Sequence, residues 1–223
     1  AGQRLGREPT YHHAKAAATL LMVQAATGDR QGMCSYGLTS EHAPGALESA
    51  RLIVVEMNAA VPFTHCVPGL PLERIDFIVE SERKPPEFPS PDLTEQARAI
   101  GEHAASAIRD GDCLQIGIGR LQSAAMKALK GHKDLGFHSG LISDETLDLV
   151  EAGALTGAKK TRDQGILVGG AVFGSGSLYE FASDPRVHLH GVGYTHEVPI
   201  IASINNFLSI NACMQVDLYG QVV

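Results

Sequence analysis

Clustered basic side chains are missing from this sequence. Its 223 residues hold 18 lysines and arginines against 25 aspartates and glutamates, a formal charge of -7 with a pI near 5.8. Surfaces for nucleic acid or anionic lipid depend on basic patches, so neither partner is expected. Long apolar runs are missing too. None approaches the roughly 20 residues that span a bilayer, and the N-terminus lacks the basic-then-apolar pattern of a secretory signal. No membrane association is expected, and the cytoplasm is the default compartment. Cysteine is sparse, and Cys34, Cys66, Cys113 and Cys213 form no C-x-x-C pair. That spacing suggests neither a disulfide framework nor a zinc ribbon, leaving free thiols, mostly buried.

What is present is ordinary globular composition, 44% hydrophobic and 19% charged, enough for one large domain or two small ones. The 24 glycines gather after expected strands, where backbone turns sharply or approaches a ligand. Residues 18–24 and 51–57 are short, continuously apolar runs, which suit strands of a parallel sheet covered on both faces. Residues 43–49 between them form a short helix candidate, and 28–32 a turn. Four prolines in residues 81–92 remove backbone donors and favour extended, solvated chain. They divide the sequence into residues 1–80, a linker over 81–92, and residues 93–223.

Beyond the linker, Asp92 or Thr94 can cap a helix running to about Arg109, with Leu93, Ala97, Ile100, Ala104 and Ile108 at helical spacing. A strand at 113–116, a helix at 121–129, a strand at 135–138 and a helix at 144–152 capped by Ser143 come next. Residues 166–168, 178–182 and 187–189 continue the pattern, and strand candidates at 200–204 and 208–223 close it. This alternation is that of the α/β class, with mixed or parallel sheets carrying helices on both faces. The abrupt apolar ending reads as a fragment of a longer chain.

Several stretches could carry chemistry. Gln115-Ile116-Gly117-Ile118-Gly119-Arg120 follows a strand and precedes a helix, so its amides can approach a thioester oxygen or a phosphate. A tight turn is the plainer reading. The loop lacks the third glycine and downstream acid of a dinucleotide fingerprint, so NAD is not expected. Residues 168–177 form a second glycine-rich turn, for which packing is an equal reading. Asn205, Asn206 and Asn211 flank an apolar strand, where ligand contact or backbone hydrogen bonding would suit them. His188 and His190 share a strand face, with His196 and Glu197 nearby, yet no third ligand sets a metal geometry, and structural or surface histidine is the plainer reading. His12 and His13 are no stronger, and no metal is expected. Glu145 and Glu151 read as structural, Glu145 as a first-turn acid favoured by the helix dipole.

In sequence order, residues 18–36, 52–58, 75–86, 113–129, 149–157 and 206–223 resemble segments of the acetyl-CoA hydrolase/transferase family. So does Asp134-Leu135-Gly136-Phe137-His138-Ser139-Gly140-Leu141-Ile142-Ser143-Asp144, where that family usually reads Leu-Gly-Ile-His-Ser-Glu-Met-Phe-Ser-Asp. The resemblance implies a CoA-transferase-like fold of two related α/β domains, of which this chain holds an incomplete share. It implies an acyl-CoA and a small carboxylic acid as substrates, with coenzyme A entering as a thioester and no cofactor retained, and a homodimer or larger homo-oligomer. It also implies a nucleophilic glutamate that becomes first an acyl anhydride and then a CoA thioester. That position is Gly140 here, and glycine cannot do this. Ser139 is no obvious substitute, because on a strand it and His138 point to opposite faces. Glu145 or Glu56 could supply a carboxylate from elsewhere, and the space at Gly140 could admit water or a bulkier acyl group. The family match places His138 beside the reaction centre, orienting substrate or polarising a carbonyl. It places Gln115, Gly117, Ile118 and Gly119 along the acyl-CoA site, aligns Gly174 with Ser175 and Tyr179, and sets Asn211 and Gln221 near the coenzyme. Three readings are open: CoA transfer from acyl-CoA to a carboxylic acid, thioester hydrolysis by water with oxyanion donors from the glycine loop, or a noncatalytic homologue that binds CoA or a partner subunit.

Overall fold

A computed structural model of the chain describes residues 18–28 and 31–222. His12, His13 and two residues of the expected turn at 28–32 lie outside them. The first part contains β1 (Leu20–Ala26), β2 (Met33–Cys34), α1 (Ala43–Ser49), β3 (Leu52–Asn58), β4 (His65–Val67), β5 (Leu70–Pro71) and β6 (Phe77–Ser81). Ile53, Val54 and Val55 stiffen the β3 run into extended chain, and β1, β3 and β6 pair in parallel, with Leu20 opposite Leu52 and Val54 opposite Phe77. Leu21, Ala25, Ile53 and Val55 pack inward with Leu47 of α1, Tyr36 and Leu70. The expected coverage of both faces does not hold. Met22, Phe77, Ile78 and Val79 are exposed, and the burial of β1 and β3 alternates. Pairing with β3 and one buried face hold β1 as a strand, and neither requires a second covering layer.

The Pro-rich stretch is extended but not a free spacer. The Phe88 amide donates to the Gly174 carbonyl at 3.0 Å, Tyr179 Oη donates to the Pro86 carbonyl at 2.7 Å, and the Phe88 and Phe173 rings lie 5.3 Å apart. Its prolines leave carbonyls available and donors few, so it docks as a strap on the second part of the chain.

That second part contains α2 (Glu95–Ser106), β7 (Cys113–Ile116), α3 (Arg120–Ala128), β8 (Gly136–Phe137), β9 (Leu141–Ile142), α4 (Asp144–Glu151), β10 (Leu167–Gly169), β11 (Ala171–Val172), α5 (Gly176–Phe181), β12 (Val187–His190), α6 (Val192–Thr195), α7 (Val198–Ile201) and β13 (Phe207–Ile210). Thr94 caps α2, its Oγ1 accepting from the Ala97 amide at 3.2 Å. The helix stops at Ser106, short of Arg109. Its buried face is Ala97, Gly101 and Ala105, while Ile100 is exposed, because small residues let α2 lie close against α3. Residues 200–204, expected as a strand, are instead the last two residues of α7 and the turn after it; the first turn of α7 holds Pro199 where a missing amide is harmless. Only Phe207–Ile210 of the closing stretch is a strand.

The order β13-β7-β8 is parallel throughout, as is β10-β12-β4. A parallel bridge between His138 and Val168 joins the two, so β4 from the first part closes one edge of the second part's sheet. Leu114, Leu129, Leu135, Phe137, Leu149 and Leu189 form the core of this half. Cys66 on β4 packs against both cores. Cys34 and Cys113 are buried and form no disulfide, and Cys213 is exposed.

Candidate active site

Ligands of open α/β sheets sit at the carboxyl ends of the strands. There β7 delivers Gly117-Ile118-Gly119 into α3, and these three residues line a cleft of about 230 Å³. Gly119, at φ 133, takes the backbone conformation that glycine alone adopts readily, and it begins α3 without a side-chain cap. The first-turn amides that a helix leaves unpaired therefore face this edge. Phe88, Pro89, Ser90 and Pro91 of the docked strap form another wall, with Phe173, Met126 and Leu141 completing an apolar lining.

Two carboxylates, Asp144 and Glu145, stand in this lining. Glu145 is 4% exposed and accepts hydrogen bonds from Ser123 Oγ and, at 2.8 Å, from Ser143 Oγ. Lys127 Nζ lies 3.9 Å away. Burial by itself would raise the carboxyl, but hydrogen bonds from Ser123, Ser90 and Ser143 outweigh it and hold the group below the usual carboxylate range. The first-turn reading of Glu145 thus misses its main surroundings: it ties α3, α4 and the strap together around the cleft. Asp144 beside it accepts from the Ser175 amide and hydroxyl, at 3.0 and 2.7 Å.

Of the residues singled out in the sequence, the structure gathers one group around Gly117. A Cβ on Gly117 would lie 2.5 Å from Asn211 Oδ1, so the missing side chain admits Asn211. Asn211 Nδ2 donates to Ser209 Oγ at 2.9 Å and to Gln115 Oε1 at 3.3 Å, and Ser209 donates to the same Gln115 oxygen. Gln122, turned to suit its neighbours, donates to the Ile118 carbonyl at 3.2 Å and accepts from the Ala212 amide at 2.9 Å. Gly174 lets Asp144 approach closely, next to Phe173 of the cleft. Gln221 lies apart, in an exposed turn where its amide donates to Asp217 Oδ1 at 2.9 Å. Glu56 is also remote, 3.8 Å from Arg83 on the open face of the first sheet.

His138 is wholly buried and does not line the cleft. Its Nε2 faces the Tyr194 carbonyl at 3.2 Å, which places the proton on Nε2, and Nδ1 has no partner. Burial, with Lys160 nearby, pushes this imidazole down to about 4. Ser139 is spent on the sheet, its Oγ donating to the Ile116 carbonyl at 3.1 Å and accepting from the Ile116 amide at 3.3 Å. His188 stacks loosely on His65, ring centres 5.7 Å apart, and His190 lies flat on Tyr194 at 4.1 Å. Among the described residues no group of three or more histidine, cysteine or acidic side chains could hold a metal ion, and no helix is long and apolar enough to cross a membrane. The ring of His196 lies against Gly140, a contact that no spacing in the sequence announces.

Residues 174–223 match the acetyl-CoA hydrolase/transferase C-terminal domain. The chain is 39% identical over 202 residues to the 4-hydroxybutyrate coenzyme A transferase of Clostridium kluyveri, a match covering 90% of this chain and 47% of that protein. Among solved structures, the 4-hydroxybutyrate CoA-transferase of Porphyromonas gingivalis superposes with a TM-score of 0.84 at 32% identity, over 93% of this chain and 54% of the other. RipA from Yersinia pestis superposes at 0.90 with 28% identity, over 96% and 52%. The chain spans about half the length of the curated relatives it matches.

Proposed function

The chain belongs to the acetyl-CoA hydrolase/transferase family, and from that premise we propose that it works on acyl-CoA thioesters, moving coenzyme A to a carboxylic acid as the names of its relatives describe. The cleft is the observation that carries this reading. Its apolar walls suit an acyl chain, and the Gly117–Gly119 loop offers backbone donors where a thioester oxygen would gain charge. Coenzyme A is then a substrate, and the protein's own residues bind, orient and polarise it.

A second reading, release of CoA to water, is favoured by Gly140. The position carries no carboxylate, and Glu145, the buried carboxylate of the cleft, has both oxygens engaged by serine hydroxyls. The test is CoA release by the complete natural protein from acetyl-, butyryl- and benzoyl-CoA, with and without acetate. Acetate-dependent formation of acetyl-CoA supports transfer, and acceptor-independent CoA release supports hydrolysis. No turnover of any thioester would leave a CoA- or partner-binding homologue. Light scattering on the same sample tests the homodimer or larger assembly expected of the family.

A further inference from the structure

An imidazole fills the space above Gly140. Gly140 follows β8 at the carboxyl edge of the sheet, its carbonyl fixed by the amides of Gly170 at 3.0 Å and Ala171 at 2.9 Å. Cys113 pairs with Gly136 and Leu114 with Phe137, and the Ser139–Ile116 hydrogen bonds carry that register one pair short of Gly117 and Gly140. The donor loop and Gly140 are therefore neighbours at the strand ends, Gly140 and His196 standing just outside the cleft lining, which resumes at Leu141. A Cβ on Gly140 would lie 2.7 Å from Cε1 and 3.1 Å from Nε2 of His196. Unbonded carbons rest about 3.5–4.0 Å apart, so a side chain at 140 and this position of the ring exclude one another. The ring is held from its other side, with Nδ1 2.8 Å from Oγ1 of the buried Thr195.

We propose that His196 is the catalytic base of this site, activating water against a thioester carbonyl held over Gly140, so that water is the acceptor. The inference rests on the second reading above, release of CoA to water, with the acyl-CoA thioester bound at this edge of the sheet. It requires the tautomer in which Nδ1–H donates to Thr195 and Nε2 keeps its lone pair. Nε2 takes a proton from water as the water oxygen bonds to the carbonyl carbon, and the carbonyl electron pair moves to its oxygen. The oxyanion then collapses, the carbon–sulfur bond breaks, and the departing thiolate takes the proton back from the imidazolium. The products are the carboxylic acid and free coenzyme A. An imidazole can move this proton, but only a carboxylate can carry CoA as an enzyme-bound thioester on its way to a second acid.

Four variants of the complete natural protein test this. His196→Ala is expected to lower kcat for acceptor-free CoA release roughly a hundredfold or more, as loss of a general base does, with KM little changed. Added imidazole should restore part of the rate, which a purely structural role would not allow, and His196→Gln should show the same loss with the side-chain volume kept. The double variant Gly140→Glu with His196→Ala clears the space and supplies a carboxylate. It is expected to gain acetate-dependent CoA transfer and a borohydride-sensitive thioester adduct, whereas Gly140→Glu alone, blocked by the ring, should gain far less. CoA release that survives in both His196 variants overturns the assignment while leaving the acyl-CoA reading intact. An unmodified protein that cleaves no acyl-CoA overturns that reading and the assignment with it.

Discussion

Glu145 keeps its charge although the protein nearly seals it from solvent. A carboxylate so placed is stable only if donors replace its lost hydration, and Ser123, Ser90 and Ser143 supply them. Glu145→Gln keeps the shape but turns one acceptor into a donor aimed at hydroxyls, and it is expected to cost about 2 kcal/mol at pH 7, measured by urea unfolding. The sign of the pH dependence is set by the direction of the shift. A carboxyl held below its ordinary value of 4.5 stabilises the fold fully above that value and loses its contribution as pH falls through the lower folded value. The variant and the parent should therefore converge in strong acid. A gap that stays constant down to pH 3 would assign the effect to packing. Nothing in the sequence announces this role. Glu145 sits where helix-favouring acids ordinarily sit, and its serine partners come from three separate segments.

At the scale of elements, what could be read in the sequence divides by whether the cause is local. Cys113–Ile116 is a strand and Ala43–Ser49 a helix with the expected bounds, and Thr94 is a cap, because periodicity and capping act within a few residues. Residues 200–204 went the other way, since a short apolar run has no period of its own and Pro199 decided it. The strap at residues 86–91 looked solvated because proline content records lost donors, while its docking depends on Phe173, Gly174 and Tyr179 far along the chain. The contact of α2 with α3 is legible only after the fact. A Cβ on Gly101 would lie 2.6 Å from the Ala124 carbonyl carbon, and backbone inside a helix cannot step aside as a side chain can. Gly101→Ala gains about 1 kcal/mol of helix propensity, yet forcing the helices apart costs about 1–3 kcal/mol. Net destabilisation is the expected outcome, and larger residues should be worse. A Gly101→Ala protein more stable in denaturant than the parent would mean that the helix pair has slack the packing does not show.

Across the whole molecule, the two cores meet at β4, and the seam is lined with imidazoles. His65 of β4 pairs with His188 of β12, and Val67 with His190. His190 stacks on Tyr194, whose ring is 5.7 Å from that of His138. Burial is the main cause that pushes both His138 and His190 down to about 4. Asp163 pulls both upward, while Lys160 adds to the depression. An unfolded chain protonates these rings near 6.5, and the folded one does so only near 4. Between those values the unfolded state binds more protons, so stability is complete above about pH 6.5, falls as the pH drops toward 4, and loses nothing further from these groups below that. Either histidine alone accounts for at most about 3.5 kcal/mol. The two share neighbours, so their sum is smaller than twice that. Most of this window lies above 4.5, where Glu145 begins to lose its contribution, which lets the two effects be separated between pH 6.5 and 4.5. Thermal unfolding followed from pH 7.5 to 3.5 should show a falling midpoint between 6.5 and 4, with much of that slope gone when His138 and His190 are both replaced by glutamine. If the double variant keeps the full slope, carboxylates outside the seam control the acid response, and the joint between the two cores is insensitive to its own imidazoles.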